Sequence, residues 1–386
     1  MADKNKTSAP VGDTFQIKAG EPLKNMLNRE SLRNSGLVIQ SVYRSFKVDE
    51  FVNSIIDETW DTLELKARGR QITLNLGKYL PPDYQEALAI LEKVAADYST
   101  GLFVLGFSFP DFVEVYGQDE RNWDISIRAL EMFTTLWSSE IAVRPFILKY
   151  EERMMDQMLA WSQHENEHIR RLASEGCRPS LPWAIALPKF KKEPAPVIPI
   201  LTQLKADPSA YVRKSVANNL NDISKTRPDI AIDIATEWYG NNNHTNWIVK
   251  HGCRTLLKKG NRDILALFGL NDNKNVAVED FALSTNSISI GDELAFSFAI
   301  NTKKTTKVRL EYGIDYVKSN GKRNRKIFKI SEISIKENER KPYAKSHSFV
   351  DLSTRKHYCG IHSIVLIVNG EEMGKLDFEL HSPSFR

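Results

Sequence analysis

Three carboxylates recur at related positions of a helical pattern in the central part of the chain. Glu175 follows Arg171 by four residues, so both side chains face the same side of their helix. Asp222 follows Lys214 by eight residues, and Lys214 stands 43 residues after Arg171, at the matching position of the next repeat. Carboxylates that lie together within a cationic groove can stabilise a positively charged reaction centre.

Glu140 extends this set toward the N-terminus. It lies eleven residues after Ala129, which matches Arg171 one repeat earlier, and eleven residues close three helical turns almost evenly. The spacing therefore predicts Glu140, Glu175 and Asp222 on one stripe of adjacent helices. Ordinary alternation of charge along a solvated helix face is the competing interpretation.

A repeated phrase predicts the helices that would position these acids. Two adjacent cations follow an aliphatic residue in Ile169-Arg170-Arg171-Leu172-Ala173 and in Val212-Arg213-Lys214-Ser215-Val216. Weaker versions of the phrase, each with one Lys or Arg, stand at residues 127–130 and 249–253. Successive phrases are 42, 43 and 37 residues apart. A period of about 40 residues is typical of stacked HEAT or armadillo helix pairs, in which one helix of each pair lines a concave surface.

The cations of this phrase would form a ladder on that concave surface. Arg170, Arg171, Arg213 and Lys214 could bind phosphate groups there. The net charge of +4 is too small to indicate a polyanion partner, so such binding requires that the cations be segregated on one surface. Ion pairs within a helix or between repeats are the alternative role for these residues.

One aromatic candidate, Trp183, stands apart from the helical pattern. Trp183 ends the run Arg178-Pro179-Ser180-Leu181-Pro182-Trp183. A tryptophan at this position could stack on a base or a sugar. It could equally fill the space between two repeats.

A second group of cations lies near the C-terminus, in residues 318–326. Asn320-Gly321 is a strong hairpin signal, which places Lys322, Arg323 and Arg325 at the tip of a hairpin and on its second strand. Such a finger could bind phosphate. Alternatively, its charges only prevent the strand edge from pairing with another chain.

The character of the chain changes near residue 272. Helical periodicity extends through residues 21–272, and short alternating strands follow over residues 273–386. We therefore predict a mainly α fold, in which a HEAT-like helical-repeat solenoid precedes a C-terminal all-β, Ig-like sandwich. Residues 1–20 contain no apolar stretch, so we expect a flexible extension rather than a signal peptide.

Other classes of site find little support. No apolar run approaches the length of a membrane span. Cys177, Cys253 and Cys359 are widely spaced, which favours a reducing, cytoplasmic setting without disulfides or zinc. His164 and His168 are four residues apart, but their context favours an exposed helix start over a metal site. We expect no metal and no other cofactor.

Several phrases together resemble one known family. They are Ser139-Glu140-Ile141-Ala142-Val143-Arg144-Pro145-Phe146, His168-Ile169-Arg170-Arg171-Leu172-Ala173-Ser174-Glu175-Gly176, Leu181-Pro182-Trp183 and Tyr211-Val212-Arg213-Lys214-Ser215-Val216-Ala217-Asn218-Asn219-Leu220-Asn221-Asp222. Over about residues 21–270 the chain resembles the HEAT-like alkylbase DNA glycosylases, the AlkC/AlkD superfamily, and specifically the AlkC branch. Part of that branch carries a C-terminal Ig-like domain, which agrees with the predicted β segment.

The resemblance implies an activity and a set of site residues. The activity is hydrolysis of the N-glycosidic bond of cationic N-alkylated bases in double-stranded DNA, chiefly 3-methyladenine and 3-methylcytosine, for base excision repair. The base would not enter a closed pocket, unlike the usual base-flipping glycosylases. Glu140, Glu175 and Asp222 would be catalytic, and Trp183 would contact the lesion or its sugar. The four ladder cations would contact the DNA backbone or support their helices.

The implied chemistry suits carboxylates. A base alkylated on a ring nitrogen already carries positive charge, so it leaves as a neutral molecule without a general acid. Carboxylates near C1′ can stabilise the sugar cation and position the attacking water. A non-catalytic HEAT scaffold that binds DNA or an acidic protein is the alternative, although such a scaffold gains nothing from acids in its groove. We expect a monomer.

Overall fold

The computed structural model describes residues 21–96, 103–352 and 355–383, so the expected extension over residues 1–20 lies outside the described residues. Within these ranges, helices precede residue 268 and strands follow residue 275. The predicted fold class, a helical-repeat segment followed by an all-β sandwich, is confirmed. No described helix has both the length and the apolar character required to cross a membrane.

Two compact units divide the chain, Met1–Thr226 and Arg227–Arg386. The first unit contains the helices α1 Arg29–Val42, α2 Val48–Ile55, α3 Leu65–Tyr79, α4 Tyr84–Ala96, α5 Phe103–Tyr116, α6 Trp123–Thr134, α7 Val143–Lys149, α8 Glu151–Trp161, α9 Glu167–Gly176, α10 Pro188–Lys192, α11 Ile198–Leu204 and α12 Ala210–Thr226. Short 3₁₀ turns at Leu23–Met26, Trp60–Thr62 and Glu120–Asn122 connect some of them.

The second unit combines four helices with eight strands. The helices are α13 Pro228–Trp238, α14 Asn243–Gly252, α15 Arg254–Lys258 and α16 Arg262–Leu267. The strands are β1 Val276–Leu283, β2 Ser287–Ser289, β3 Glu293–Thr302, β4 Thr306–Val317, β5 Arg323–Ile335, β6 Arg340–Ser348, β7 Gly360–Val368 and β8 Glu371–His381. Secondary structure thus changes close to residue 272, whereas the compact units divide earlier because the last four helices pack with the strands.

Helices α9 and α12 show why the repeat phrase predicts helices. The Asn166 side chain accepts a hydrogen bond from the His168 backbone N–H and so caps the start of α9. In α12, an apolar stripe at helical spacing is fully buried; its members are Val212, Val216, Leu220 and Ile223.

Polar contacts join these two repeats closely. The hydroxyls of Ser174 and Ser215 are 2.6 Å apart, and the Asn219 amide donates to the Ser174 carbonyl at 2.8 Å. At the end of α9, a Cβ on Gly176 would come within 2.6 Å of Val143 Cγ2 in α7, so only glycine fits there. Helices α7, α9 and α12 therefore pack tightly enough to fix the loops at their ends.

The strands of the second unit form two sheets. One sheet has the order β1-β3-β6 and the other β2-β8-β7-β4-β5; every pairing is antiparallel except β2 with β8. Their facing sides bury a core that includes Phe296, Leu310, Ile364 and Phe378. This arrangement is a β-sandwich.

The two Asn-Gly turns form hairpins as predicted. Asn369 and Gly370 connect β7 to β8 with φ of 46° and 79°, the positive values that a two-residue hairpin turn requires. Gly370 also approaches Gly260, because a Cβ on Gly370 would lie 2.7 Å from the Gly260 Cα. Gly321, at the tip between β4 and β5, has φ of 74°.

Candidate active site

Arg178 brings two of the predicted acids together. Its Nη1 donates to Glu175 Oε1 at 2.6 Å, and its Nε donates to Asp222 Oδ2 at 2.9 Å. Glu175 lies in the last turn of α9, and Asp222 lies in the second half of α12. Lys225, one turn beyond Asp222, donates to Asp222 Oδ1 at 2.9 Å. One guanidinium thus joins carboxylates that belong to successive repeats.

Arg171 brings in the third acid. Its Nη2 forms an ion pair with Glu140 and lies 3.6 Å from Glu175 Oε1. The Arg171 Nη1 also donates to the Ser138 hydroxyl at 2.6 Å, and that hydroxyl donates to Glu140 Oε2 at 3.0 Å. The three predicted acids therefore do gather in one place.

The predicted route to Glu140 is wrong, although its neighbours are those expected. Helix α6 ends at Thr134, so Glu140 lies in the turn before α7 and not three turns beyond Ala129 on one helix. The Ser139 backbone N–H donates to the Thr134 hydroxyl, and the Ser139 hydroxyl donates to the Leu130 carbonyl. These contacts fold the chain back over the end of α6 and carry Glu140 toward Arg171.

We call these six residues the acid network; its members are Glu140, Arg171, Glu175, Arg178, Asp222 and Lys225. Within the described residues, both oxygens of Asp222 accept hydrogen bonds, whereas none is donated to Glu140 Oε1 or Glu175 Oε2. Two of the acids therefore retain an oxygen that could accept a hydrogen bond from water or face a cation.

Burial makes the ion pairs of the network tight. Side-chain exposure is 7% for Glu175, 10% for Arg178 and 1% for Asp222. Burial alone would lower the pKa of Arg178, but the charge of Glu175 and the hydrogen bond to Asp222 outweigh it and raise this pKa above its usual value. Arg178 is therefore a permanent cation between the two carboxylates.

Trp183 lies in the loop between α9 and α10 and is largely exposed. Its relative exposure is 79%, so the alternative that it fills space between repeats is wrong. Its φ is 62°, in the left-handed region that bulky side chains rarely occupy. Such a conformation costs on the order of 1–3 kcal/mol, and it persists only where surrounding contacts hold it.

Two cations of the predicted ladder fold back onto the protein. The Arg170 Nη1 donates to the carbonyls of His164 and Glu165, and the Arg213 Nη1 donates to those of Asp207 and Pro208. Both arginines thus bind the carbonyls six and five residues before them. Arg170 also holds Asp207 through Nε and Nη2, at 2.7 and 3.1 Å. They support the turns between helices, and the DNA contacts predicted for them remain predictions.

The second cation of each phrase has a different setting. The Arg171 guanidinium lies 5.0 Å from the centre of the Tyr211 ring, in a cation–π contact, as well as against two acids. Lys214, its counterpart in the next repeat, is exposed. Repeat symmetry therefore places residues at equivalent positions without giving them equal partners.

The cations of the C-terminal hairpin fall into two groups, one exposed and one bound to side chains of the sheet. Lys322 is exposed at the tip. Arg323 donates to the Ser363 hydroxyl at 2.9 Å, and Arg325 binds Asp315 through Nε and Nη2 at 2.6 and 2.9 Å. These bonds hold the two arginines against the sheet rather than at the hairpin tip.

The histidine pair behaves as the helix-start interpretation predicted. His164 precedes α9 and its Nδ1 accepts a hydrogen bond from the Asn166 backbone N–H, while His168 is exposed in the first turn. Among the described residues, no group of three His, Cys, Asp or Glu side chains has the geometry of a metal site.

Sequence reasoning missed Arg178 as a member of the site. It lies three residues after Glu175, but beyond the end of α9, so helical spacing gave no direction for its side chain. The only available signal was an arginine three residues after a predicted acid.

Known proteins resemble this chain both in sequence and in structure. A family model described as the C-terminal Ig-like domain of uncharacterised protein YhaZ matches residues 277–382. The chain is 49% identical over 358 residues to the uncharacterized protein YhaZ of Bacillus subtilis (strain 168), a match that covers 93% of this chain and 99% of that protein. The alkylpurine DNA glycosylase AlkC of Pseudomonas fluorescens, solved bound to DNA containing an abasic site analog, has a TM-score of 0.89 and 36% identity and covers 94% of this chain and 100% of its own.

Proposed function

The chain belongs to the AlkC branch of the HEAT-like alkylbase DNA glycosylases, with a C-terminal Ig-like domain, and we propose on that premise that it excises cationic alkylated bases from double-stranded DNA. The preferred lesions would be 3-methyladenine and 3-methylcytosine, and base excision repair would be the pathway. AlkC, to which the chain is similar over nearly its full length, was solved on DNA with an abasic site analog.

The acid network is the observation that supports this proposal most strongly. A protein that only binds phosphate has no use for three clustered carboxylates, two of them buried. Here Glu140 and Glu175 each keep one oxygen without a hydrogen-bond donor among the described residues, while Arg171 and Arg178 fix the other. Such fixed, partly unsatisfied carboxylates favour a reaction in which positive charge develops nearby.

The proposed reaction is a hydrolysis at C1′ of the damaged nucleotide. The bond from C1′ to the base nitrogen breaks, its electron pair stays with the base, and the cationic base leaves neutral. Glu175 and Glu140 stabilise the positive charge left on the sugar, and one of them accepts a proton from the water that adds to C1′. Trp183, which is exposed and lies five residues after Arg178 in the chain, contacts the lesion or its sugar. The base needs no closed pocket because no group has to protonate it.

Each segment has a proposed part in binding. Residues 21–272 would form the glycosylase domain, and residues 273–386 would form a domain that grips DNA through the β4–β5 hairpin. Lys322 at the exposed tip is the best placed of the hairpin cations for a phosphate. Lys214, exposed on α12, is the best placed of the ladder cations.

The direct test measures base release under single-turnover conditions from duplex DNA treated with a methylating agent. We expect wild-type protein to release 3-methyladenine and 3-methylcytosine, and Glu175→Gln to slow both by about 100-fold, because this isosteric change removes only the charge. DNA affinity should change by less than about 3-fold, since Glu175 contributes to the reaction and not to phosphate binding.

Glu165→Gln is the matched control. Glu165 is an exposed carboxylate just before α9, and it lies outside the acid network. The Glu165→Gln variant should therefore release bases at the wild-type rate. If wild type releases bases no faster than buffer alone, the proposed activity is contradicted. The alternative, a non-catalytic scaffold, would then be favoured. Equal rates for wild type and Glu175→Gln would contradict the role of the acids.

A further inference from the structure

The Trp183 loop poses a physical problem that its own side chain cannot solve. Trp183 holds a left-handed backbone conformation, yet its side chain is mostly exposed and gains little from packing. Left-handed conformations of bulky residues persist only when other contacts fix the backbone. Buried side chains such as Leu181 and Leu187 anchor the loop on both sides, and the conformation at residue 183 itself depends on contacts to main-chain atoms.

Lys66 is the first such group. It lies in the first turn of α3, and its Nζ donates to the Trp183 carbonyl at 2.6 Å across 117 residues of sequence. This bond acts on the peptide that follows the strained φ angle. The contact therefore bears directly on the direction in which the indole points.

Arg144 is the second group, and it holds the loop from beneath. It begins α7 together with Val143, its side chain is fully buried, and it donates to three carbonyls: Gly176 and Arg178 at 2.8 and 2.9 Å, and Ile185 at 2.5 Å. These carbonyls precede and follow Trp183, so a single guanidinium ties both ends of the loop together.

A buried cation with only carbonyl partners is expensive. Burial lowers the pKa of Arg144 to about 10, and no carboxylate forms an ion pair with it among the described residues. A side chain that only filled space at this position could be apolar at lower cost. The desolvation cost of this buried guanidinium is explained if its three hydrogen bonds to carbonyls fix the loop.

We propose that Lys66 and Arg144 are positioning residues that hold Trp183 in its left-handed conformation and so aim the indole at the damaged nucleotide. This inference rests on the proposed glycosylase activity. Neither residue touches the reacting atoms; both act on the rate through Trp183.

Lys66 carries the test, because loss of Arg144 would leave three buried carbonyls unpaired and could prevent folding. Lys66→Met should lower the single-turnover rate constant by about 10-fold with an unchanged DNA dissociation constant, since small displacements of a positioning group reduce the rate. Lys66→Arg, which retains a donor, should recover most of the loss. Lys78→Met, on the exposed last turn of the same helix, is the matched control and should behave as wild type.

A double-mutant cycle with Trp183→Ala separates this role from a direct contact with DNA. If Lys66 acts through Trp183, adding Lys66→Met to Trp183→Ala slows the reaction no further. Multiplication of the two effects, or a loss seen only in the dissociation constant, would overturn the proposal.

Hydrogen exchange of the free protein makes the test independent of activity. The Ala184 and Leu187 backbone N–H groups donate to the Leu181 and Pro179 carbonyls within the loop, so their exchange reports on its order. Lys66→Met should exchange faster than wild type in a peptide spanning residues 180–187. Faster exchange in a protein without glycosylase activity would keep the positioning role and reject the proposed function, whereas unchanged exchange would reject the positioning role itself.

Discussion

Two clusters in this chain hold buried carboxylates against several cations, but they differ in how many carboxylate oxygens lack a donor. In the second unit, Glu332 is 5% exposed and both of its oxygens are occupied. Oε1 pairs with Lys250 and lies 3.7 Å from Lys307, and Oε2 lies 3.4 Å from Arg309 and 3.3 Å from Lys329. We call these five residues the Glu332 cluster; it joins α14 to β4 and β5 and leaves neither oxygen of Glu332 without a cation.

In the acid network of the first unit, some carboxylate oxygens have no hydrogen-bond donor. Three carboxylates meet three cations, and the free oxygens of Glu140 and Glu175 face no donor among the described residues. A strained, exposed tryptophan, Trp183, belongs to the same unit and follows Arg178 by five residues. The comparison teaches that buried charge alone does not mark a site. The acid network keeps held carboxylate oxygens that could face a cation, whereas the Glu332 carboxylate keeps none.

The largest expected effect breaks the acid network at its centre. Arg178→Gln leaves Glu175 and Asp222 buried without their shared cation, and we expect a loss of about 3 kcal/mol in the free energy of unfolding. Urea denaturation, monitored through the helical signal of the first unit, measures this loss of stability. A loss below about 1 kcal/mol would mean that the two acids tolerate separation and that Arg178 does not hold them.

Removal of the central charge of the Glu332 cluster should lower stability without changing the rate of base release. Glu332→Gln removes the one carboxylate that Lys250, Lys307 and Lys329 share, and because those lysines are partly exposed we expect a loss of about 2 kcal/mol. Single-turnover base release at a temperature where the variant is folded should match wild type. A reduced rate in the folded variant would contradict the distinction between the clusters.

The Glu332 cluster should also weaken in acid. Burial raises the pKa of Glu332, but the hydrogen bond from Lys250 and the surrounding cations lower it further, so the folded-state pKa is below the usual 4.5. The ionised carboxylate therefore stabilises the folded state above the unfolded-state pKa, and this contribution disappears as the pH falls through the lower, folded value. The difference in Tm between wild type and Glu332→Gln should shrink between about pH 7 and about pH 3. A constant difference would show that the charge of Glu332 is not what stabilises the cluster.

The smallest effect concerns the β4–β5 hairpin, where exposed and engaged cations lie close together in sequence. Lys322→Ala should reduce the slope of log affinity for DNA against log salt by about 0.9, the value for one lost phosphate contact. Arg325→Ala should leave the slope unchanged, because Asp315 and Glu372 already bind that guanidinium. Equal changes in both variants would mean that Arg325 leaves its carboxylates for DNA.

Much of the fold could be predicted because it follows from local periodicity. The 43-residue spacing of the two cation phrases corresponds to contacts between α9 and α12, where Ser174 meets Ser215. Asn369-Gly370 formed its hairpin because few other residue pairs adopt two positive φ angles at low cost. The identities of the three acids came from the family resemblance and from spacing together.

The rest depended on contacts that helical spacing does not encode. The helix expected to continue past Thr134 ends there, since Ser139 and Thr134 form side-chain bonds that favour a turn. Arg178 was missed because its direction is set by a loop, and Lys66 because its partner is distant in sequence. Arg170 and Arg213 have the expected positions, but their guanidinium groups donate to nearby backbone carbonyls. Spacing along the chain cannot show whether an arginine binds such a carbonyl or a phosphate.

The central claim is that the unsatisfied carboxylate oxygens of the acid network stabilise positive charge on the sugar. The most direct measurement compares affinities for two duplexes that carry, at the same position, either a cationic pyrrolidine sugar mimic or a neutral tetrahydrofuran. We expect wild type to bind the cationic duplex about 100-fold more tightly, and Glu175→Gln to lose about 10-fold of that preference. Equal affinity of wild type for the two duplexes, or a preference that survives Glu175→Gln intact, would contradict the claim.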